Sequence, residues 1–152
     1  MEIKEGYMPF MGYQTYYRIV GKTEEGKSPI ILLHGGPGST HNYFELLDRV
    51  AESGRAVIMY DQLGCGNSFV EGHPELWTWL NELCVLIDYL HIDHFHLLGQ
   101  SWGGMLAIIY LIEKQAKGVK SAILSSTLSS SKLWASEQHR MIKFMSEEDQ
   151  RA

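Results

Sequence analysis

Cysteine is nearly absent: only Cys65 and Cys84 occur among 152 residues. They lie on different segments, and Cys84 falls in an apolar helical pattern where a buried thiol is the ordinary outcome. No disulfide framework is encoded, and a reducing, cytoplasmic setting fits. No basic run is present either. With 13 Lys and Arg against 18 Asp and Glu, a net charge of −5, no segment can track a phosphate backbone, which excludes nucleic acid as the expected partner. The N-terminus Met1-Glu2-Ile3-Lys4-Glu5 lacks an apolar signal region. The longest near-apolar run, Gly103 to Ile112, is ten residues, so neither export nor a membrane span is expected. Internal repeats and low-complexity tracts are missing too. At 45% apolar and 20% charged residues, the composition excludes disorder and collagen-like repeats, and the length suits one globular domain.

Glycine, by contrast, is plentiful, at 15 of 152 against a usual ~7%. Eight of these glycines fall in three short segments: Gly35-Gly36-Pro37-Gly38, Gly64-Cys65-Gly66 and Gly99-Gln100-Ser101-Trp102-Gly103-Gly104.

Around these segments the hydrophobic pattern alternates between strand and helix. Tyr13 to Val20, rich in Tyr and β-branched residues, reads as a strand paired with Ile3 to Phe10. Ile30-Ile31-Leu32-Leu33, Ala56 to Tyr60 and Phe95 to Leu98 are continuous apolar runs, as in strands buried on both faces. Phe44, Leu47, Val50 and Ala51 recur at helical spacing before Gly54. From Pro74 onward, Leu76, Leu80, Leu83, Ile87 and Leu90 define an amphipathic helix. A further helix from about Trp102 to Lys117 and a strand Ala122-Ile123-Leu124 follow. This order predicts an α/β fold with a mostly parallel sheet and helices on both faces. The serine cluster Ser125 to Ser131 reads as a loop. After it, Leu133, Trp134, Met141, Ile142, Phe144 and Met145 form an apolar helical stripe that no later segment covers. Ser146-Glu147-Glu148-Asp149 has the form of an N-cap and acidic first turn, about one turn before the chain stops at Ala152. The expectation is an incomplete domain.

Gly99-Gln100-Ser101-Trp102-Gly103 is a G-x-S-x-G motif between a buried strand and a helix, the placement a nucleophile elbow requires. A tight turn there projects the Ser101 hydroxyl above the sheet, and the flanking glycines permit that backbone. The alternative is a strand-to-helix turn in which Ser101 only caps the helix. His34-Gly35-Gly36-Pro37-Gly38 also ends a buried strand. Such a turn can aim backbone N–H groups where a tetrahedral intermediate places its oxyanion, with Trp102 N–H as second donor. It also resembles a phosphate cradle, but no Walker Lys-Ser/Thr pair follows. In Asp61-Gln62-Leu63-Gly64-Cys65-Gly66-Asn67-Ser68, the placement of Asp61 and Ser68 favours a structural role, hydrogen-bonding the loop backbone. Nothing near Cys65 in sequence would lower its pKa, which disfavours it as a nucleophile. His91, His94 and His96 have spacings open to a metal, yet no carboxylate or cysteine cluster completes a ligand set, and surface and packing roles are favoured.

H-G-G-P-G, D-Q-x-G-x-G-x-S and G-Q-S-W-G-G, in that order from about Glu5 to Leu133, together resemble the prolyl aminopeptidase (proline iminopeptidase) branch of the α/β-hydrolases. Related forms are the tricorn-interacting aminopeptidase and L-amino-acid amidases. The resemblance implies a serine hydrolase that releases an N-terminal residue, often proline, from short peptides or amino-acid amides, without a cofactor or metal. It makes Ser101 the nucleophile and gives the oxyanion hole to the N–H groups of Gly36 and Trp102. His34, Gly35, Pro37, Gly38, Asp61, Gln100 and Gly103 then shape the site. Residues 1–130 correspond to the N-terminal part of the hydrolase core, cut after the sixth strand or so, and 131–152 to the start of a helical cap. The fold orders its triad Ser, Asp, His. After Ser101 come one aspartate, Asp149, and one histidine, His139, in reverse order and within the cap region. They are not expected to complete a triad, and without a base Ser101 is a poor nucleophile. The exposed last strand predicts self-association or a complementary C-terminal chain. Open alternatives are an amidase or esterase of the same fold, a non-catalytic half that binds another chain, or a fragment without its own function. An epoxide hydrolase is disfavoured, because it would carry Asp where Ser101 stands.

Overall fold

The computed structural model describes residues 1–72, 75–115 and 118–151, the side chains of Leu76 and Trp77 excepted. Pro74 and Lys117, which bound two of the expected helices, Ala152, and the Leu76 side chain therefore lie outside the described residues.

Six strands form one mixed sheet: β1 (Ile3–Phe10), β2 (Tyr13–Val20), β3 (Ile30–Leu33), β4 (Val57–Tyr60), β5 (Phe95–Gln100) and β6 (Val119–Ser125), in the spatial order β1-β2-β4-β3-β5-β6. β1 and β2 are an antiparallel hairpin with Ile3 opposite Val20 and Phe10 opposite Tyr13. β2 lies antiparallel on β4, whereas β4, β3, β5 and β6 run parallel. The order puts β3 and β5 side by side, so the two glycine-rich turns that follow them emerge next to each other. Ligand sites in open α/β sheets lie at this carboxyl end of the strands.

Side chains alternate across each strand. Ile31, Leu33, Ile58, Tyr60 and Leu97 point to one face. There they pack on Leu80, Leu83 and Leu86 of helix α1 (Leu76–Tyr89) and on Leu106, Ala107 and Tyr110 of helix α2 (Trp102–Glu113). Ile30, Leu32, Val57 and Met59 point to the other face, where Phe44 and Ala51 cover them. Both faces are apolar because both are covered, which is why the central strands read as unbroken hydrophobic runs. A fully buried leucine such as Leu83 contributes about 2 kcal/mol of transfer free energy.

The segment covering the second face differs from expectation in its geometry. Asn42–Ser53 forms successive 3-10 turns rather than an α-helix. Its ends close by i→i+3 bonds, Phe44 N–H to His41 O (2.8 Å) and Gly54 N–H to Ala51 O (3.0 Å), and Gly54 takes the left-handed C-cap conformation with φ 76°. Tertiary anchors hold it there. Arg18 of β2 donates two 2.8 Å hydrogen bonds to the Asp48 carboxylate.

Past β6 the chain turns into helix α3 (Ser131–Ile142), capped by Ser130 Oγ, which accepts from Leu133 N–H. The apolar stripe of α3 is exposed, as are Ile123 and Leu124 on β6, the outer strand of the sheet. Ser146 does cap a turn, but a short 3-10 one (Asp149–Arg151), its Oγ accepting from Asp149 N–H. Among the described residues no helix is long and apolar enough to cross a membrane.

Candidate active site

Ser101 stands between β5 and α2 with φ 53° and ψ −118°. Positive φ is costly for a residue with a Cβ, on the order of 1–3 kcal/mol, and persists only where surrounding bonds impose it. Those bonds are present. Ser101 N–H donates to Ser125 O of β6 (2.9 Å), and Ser101 O accepts from Gly104 N–H (3.0 Å) and from the Thr127 hydroxyl (2.6 Å). Gly103 allows α2 to lie directly on β3, since a Cβ there would overlap the carbonyl oxygen of Leu33. The motif glycine is thus required by close approach, and it sets the depth of the α2 N-terminus behind Ser101.

The turn after β3 is wired from both sides. His34 is fully buried. Its Nδ1–H donates to Gly35 O (2.8 Å), and its Nε2 accepts from Gln62 N–H (2.9 Å). This donor and acceptor pair requires the neutral imidazole, and burial lowers its pKa below the ordinary histidine value. His34 therefore shapes the turn. Gln62 reaches back through Nε2 to His34 O and accepts through Oε1 from Trp102 Nε1–H, both at 2.9 Å. Gly35 N–H donates to the Tyr43 hydroxyl (2.7 Å), which donates to Gln100 Oε1 (2.9 Å). Gly36 has φ 120° and precedes a cis bond to Pro37. This is backbone that only glycine adopts without strain. Among the described residues, no hydrogen bond occupies the N–H groups of Gly36 or Trp102. Both residues border a pocket of about 380 Å³ with Ser101. Pro37, Met105, Leu128 and Trp134 give it apolar walls, and Ser126 and Thr127 a polar edge. Gly38 continues the turn on the far side of Pro37, beside a neighbouring pocket.

The third glycine segment supports the first two. Asp61 is fully buried and accepts from the His41 backbone N–H (2.8 Å), the His41 ring Nδ1 (2.7 Å) and Asn67 N–H (2.9 Å). Burial alone would raise its pKa, but these donors outweigh it and hold the carboxyl below its ordinary value. Ser68 donates to Asp61 O (2.6 Å) and accepts from Tyr16 N–H (2.8 Å), the structural role expected of the pair. From α1, Glu82 accepts from Leu63 N–H (3.0 Å) and from the Thr15 hydroxyl (2.5 Å), while Trp79 Nε1–H donates to Leu63 O (2.9 Å). The Trp79 ring meets the Trp102 ring edge-on, with centroids 5.2 Å apart. Cys65 is buried and its thiol pKa is raised by burial, the opposite of an activated nucleophile. Cys84 is only half-buried, against the α1 side of the core.

The structure brings Ser101, Trp102, Gly103 and Gln100 together with His34 to Gly38, while the Asp61 carboxylate holds the adjoining loop through His41 and Asn67. It does not bring His139 or Asp149 to Ser101. His139 is exposed on α3 and the Asp149 carboxylate accepts from Ser146 Oγ. No acid or imidazole among the described residues hydrogen-bonds the Ser101 hydroxyl. Of the three spaced histidines, His96 is engaged with Arg55 (3.1 Å) and Ser121 (2.8 Å). Among the described residues no cluster of three His, Cys, Asp or Glu suited to a metal forms. Sequence reasoning missed Tyr43, His41, Glu82 and Thr127. None lies in a motif, and each acts through a partner distant in the chain.

A serine on a strained strand-to-helix turn, beside a glycine turn with free amides at the carboxyl end of a parallel sheet, defines a class. Residues 28–151 match the model of the alpha/beta hydrolase fold, and the chain belongs to that family. Over its whole length it is 69% identical to a proline iminopeptidase of Clostridioides difficile and 60% identical to one of Levilactobacillus brevis, spanning 53% and 52% of those proteins. Among solved structures, VinJ superposes with TM-score 0.87 at 34% identity, over 95% of this chain and 51% of that one. Proline iminopeptidase from Mycobacterium smegmatis superposes with TM-score 0.86 at 30% identity, over 94% and 50%. The chain therefore spans about half the length of the curated relatives it matches.

Proposed function

We propose that residues 1–152 carry the nucleophile and oxyanion hole of a serine aminopeptidase that releases an N-terminal residue, often proline, from short peptides or amino-acid amides. The observation that supports this reading most directly is the pocket bordered jointly by Ser101 and by Gly36 and Trp102, whose amides lack partners among the described residues. In the proposed reaction Ser101 Oγ attacks the scissile carbonyl, and its proton passes to a general base. The oxyanion is held by the two N–H groups, strengthened at Trp102 by the positive end of α2. Collapse expels the amine, which takes up the proton, and water then hydrolyses the acyl-enzyme. The apolar walls Met105, Leu128 and Trp134 suit a compact apolar ring such as proline. The base and its carboxylate partner come from outside these residues, since His139 and Asp149 lie away from Ser101. No cofactor enters the scheme, and two free thiols suit the cytoplasm.

The test compares the 152-residue chain alone with a chimera joining it to the remaining half of the C. difficile relative. Fluorophosphonate labelling and release of nitroaniline from proline and alanine p-nitroanilides are measured. The chimera is expected to label at Ser101 and turn over, with Ser101→Ala abolishing both, and the chain alone is expected not to turn over. Robust turnover by the chain alone overturns the assignment of the base to residues outside it. Turnover that survives Ser101→Ala overturns the nucleophile.

A further inference from the structure

We infer that Tyr43 is a positioning residue for this acyl transfer, its hydroxyl setting the oxyanion turn against the nucleophile strand; the inference rests on the roles proposed for Ser101 and Gly36. The two proposed donors come from different places, Gly36 from the turn after β3 and Trp102 from the start of α2. The ladder between β3 and β5 ends at the pair Leu33 and Gly99. Beyond that pair, strand pairing no longer fixes the distance between the two turns. The close seat of Gly103 on Leu33 and His34 and the Gln62 bridge from His34 O to Trp102 Nε1–H tie the turns on one side, and Tyr43 ties Gly35 to the residue before Ser101. The Tyr43 hydroxyl accepts from Gly35 N–H at 2.7 Å and donates to Gln100 Oε1 at 2.9 Å, one residue before Ser101.

Gly35 is the point where this contact is most sensitive. A Cβ on Gly35 would fall 2.6 Å from Gln100 Oε1 and 3.3 Å from Ser101 Cβ, so its backbone lies directly beside the nucleophile. Both peptide planes flanking Gly35 are held. On one side its N–H is bound by Tyr43. On the other its carbonyl accepts from His34 Nδ1 at 2.8 Å. In a trans peptide the N–H points away from the C=O, so the bond to His34 aims Gly36 N–H in the opposite direction. His34 thus sets the rotation of the donor plane, and Tyr43 sets its separation from Ser101. The tyrosine hydroxyl is also saturated in this role, with its donor and an acceptor site both used. Burial raises its pKa, so it stays protonated across the working range. Tyr43 is 39% exposed, its ring tilted at 41° against the Phe44 ring with centroids 4.5 Å apart, and Tyr43→Phe keeps that ring while removing only the hydroxyl.

A looser turn affects the transition state more than the ground state, because substrate binding rests on the pocket walls whereas the oxyanion forms only on reaction. In the active chimera, Tyr43→Phe is expected to lower kcat about tenfold to a hundredfold while KM stays within about twofold. Affinity for prolyl boronic acid, whose adduct with Ser101 is tetrahedral, is expected to fall by the same factor as kcat. Inhibition by free proline and the melting temperature are expected to stay constant. In the 152-residue chain itself, the Gly35 amide is expected to exchange with solvent faster in Tyr43→Phe, while the Ser101 amide, bonded to Ser125 O, does not change. An unchanged kcat or an unchanged Gly35 exchange rate overturns the inference. So does a parallel loss of boronate affinity, proline affinity and melting temperature, the signature of a purely structural tie. If the unsubstituted chimera neither labels nor turns over, the serine hydrolase reading fails first and the role of Tyr43 falls with it.

Discussion

Glu82 shows what a single buried charge does in this fold. It lies on α1 with no solvent exposure, its carboxylate held by Thr15 and Leu63, and burial raises its pKa to about 7 from 4.5. The neighbouring groups Tyr60 and Cys65 carry raised pKa values of their own and stay neutral, and among the described residues no cation contributes to the shift of Glu82. A carboxyl whose folded pKa exceeds its unfolded value binds more protons when folded. Its contribution is therefore complete below about pH 4.5 and is lost as pH rises through about 7. His34 works in the opposite direction, because its pKa is lowered on folding and it loses stability as pH falls below the ordinary 6.5. Glu82→Gln is expected to remove the first slope and leave the second, so that urea midpoints between pH 5 and 7.5 rise more steeply with pH than in the parent. Equal slopes in the two proteins would rule out Glu82 as the titrating group.

Among the elements, the 3-10 segment Asn42–Ser53 has the most to hold and the least of its own to hold it. Only Phe44 and Ala51 are buried from it, yet it carries Tyr43 to the active turn and follows His41 on Asp61. The Arg18–Asp48 pair supplies the missing anchorage, with the Arg18 side chain 8% exposed and that of Asp48 21%. Removal of one partner leaves a buried guanidinium without its counter-charge, which costs about 3 kcal/mol in buried pairs and less where water reaches one side. Asp48→Ala is expected to lower unfolding free energy by about 2 kcal/mol, and to raise hydrogen exchange within 42–53 more than in β3 or β5. A uniform rise across the sheet would show that the segment does not open separately.

At the scale of the molecule, cover is uneven. The α1 and α2 side of the sheet is packed, whereas β6 leaves Ile123 and Leu124 nearly half exposed, and α3 exposes Leu133, Trp134 and Met141, followed by Phe144. An open parallel edge beside exposed apolar side chains favours pairing with another chain. The 152-residue chain is expected to sediment as species larger than a monomer at micromolar concentration. Leu133→Lys with Phe144→Lys should shift the distribution toward monomer without lowering the melting temperature. A monomer in the unsubstituted chain would show that these side chains find cover within it.

The sequence alone determined the strand and helix order, the two glycine turns and Ser101 at its elbow. Those features are written in short-range terms: period-two and period-3.6 apolar spacing, and glycine where backbone must pass close to backbone. The order of strands across the sheet, β4 beside β2 and β3 between β4 and β5, is not written that way. That order brings Tyr43 to Gln100, 57 residues on, and Thr15 to Glu82, 67 residues on. It also brings Trp134 over the Ser101 pocket. These contacts arose only in the tertiary structure, because a hydrogen-bond partner far along the chain leaves no periodic trace, and either residue alone reads as an ordinary polar side chain.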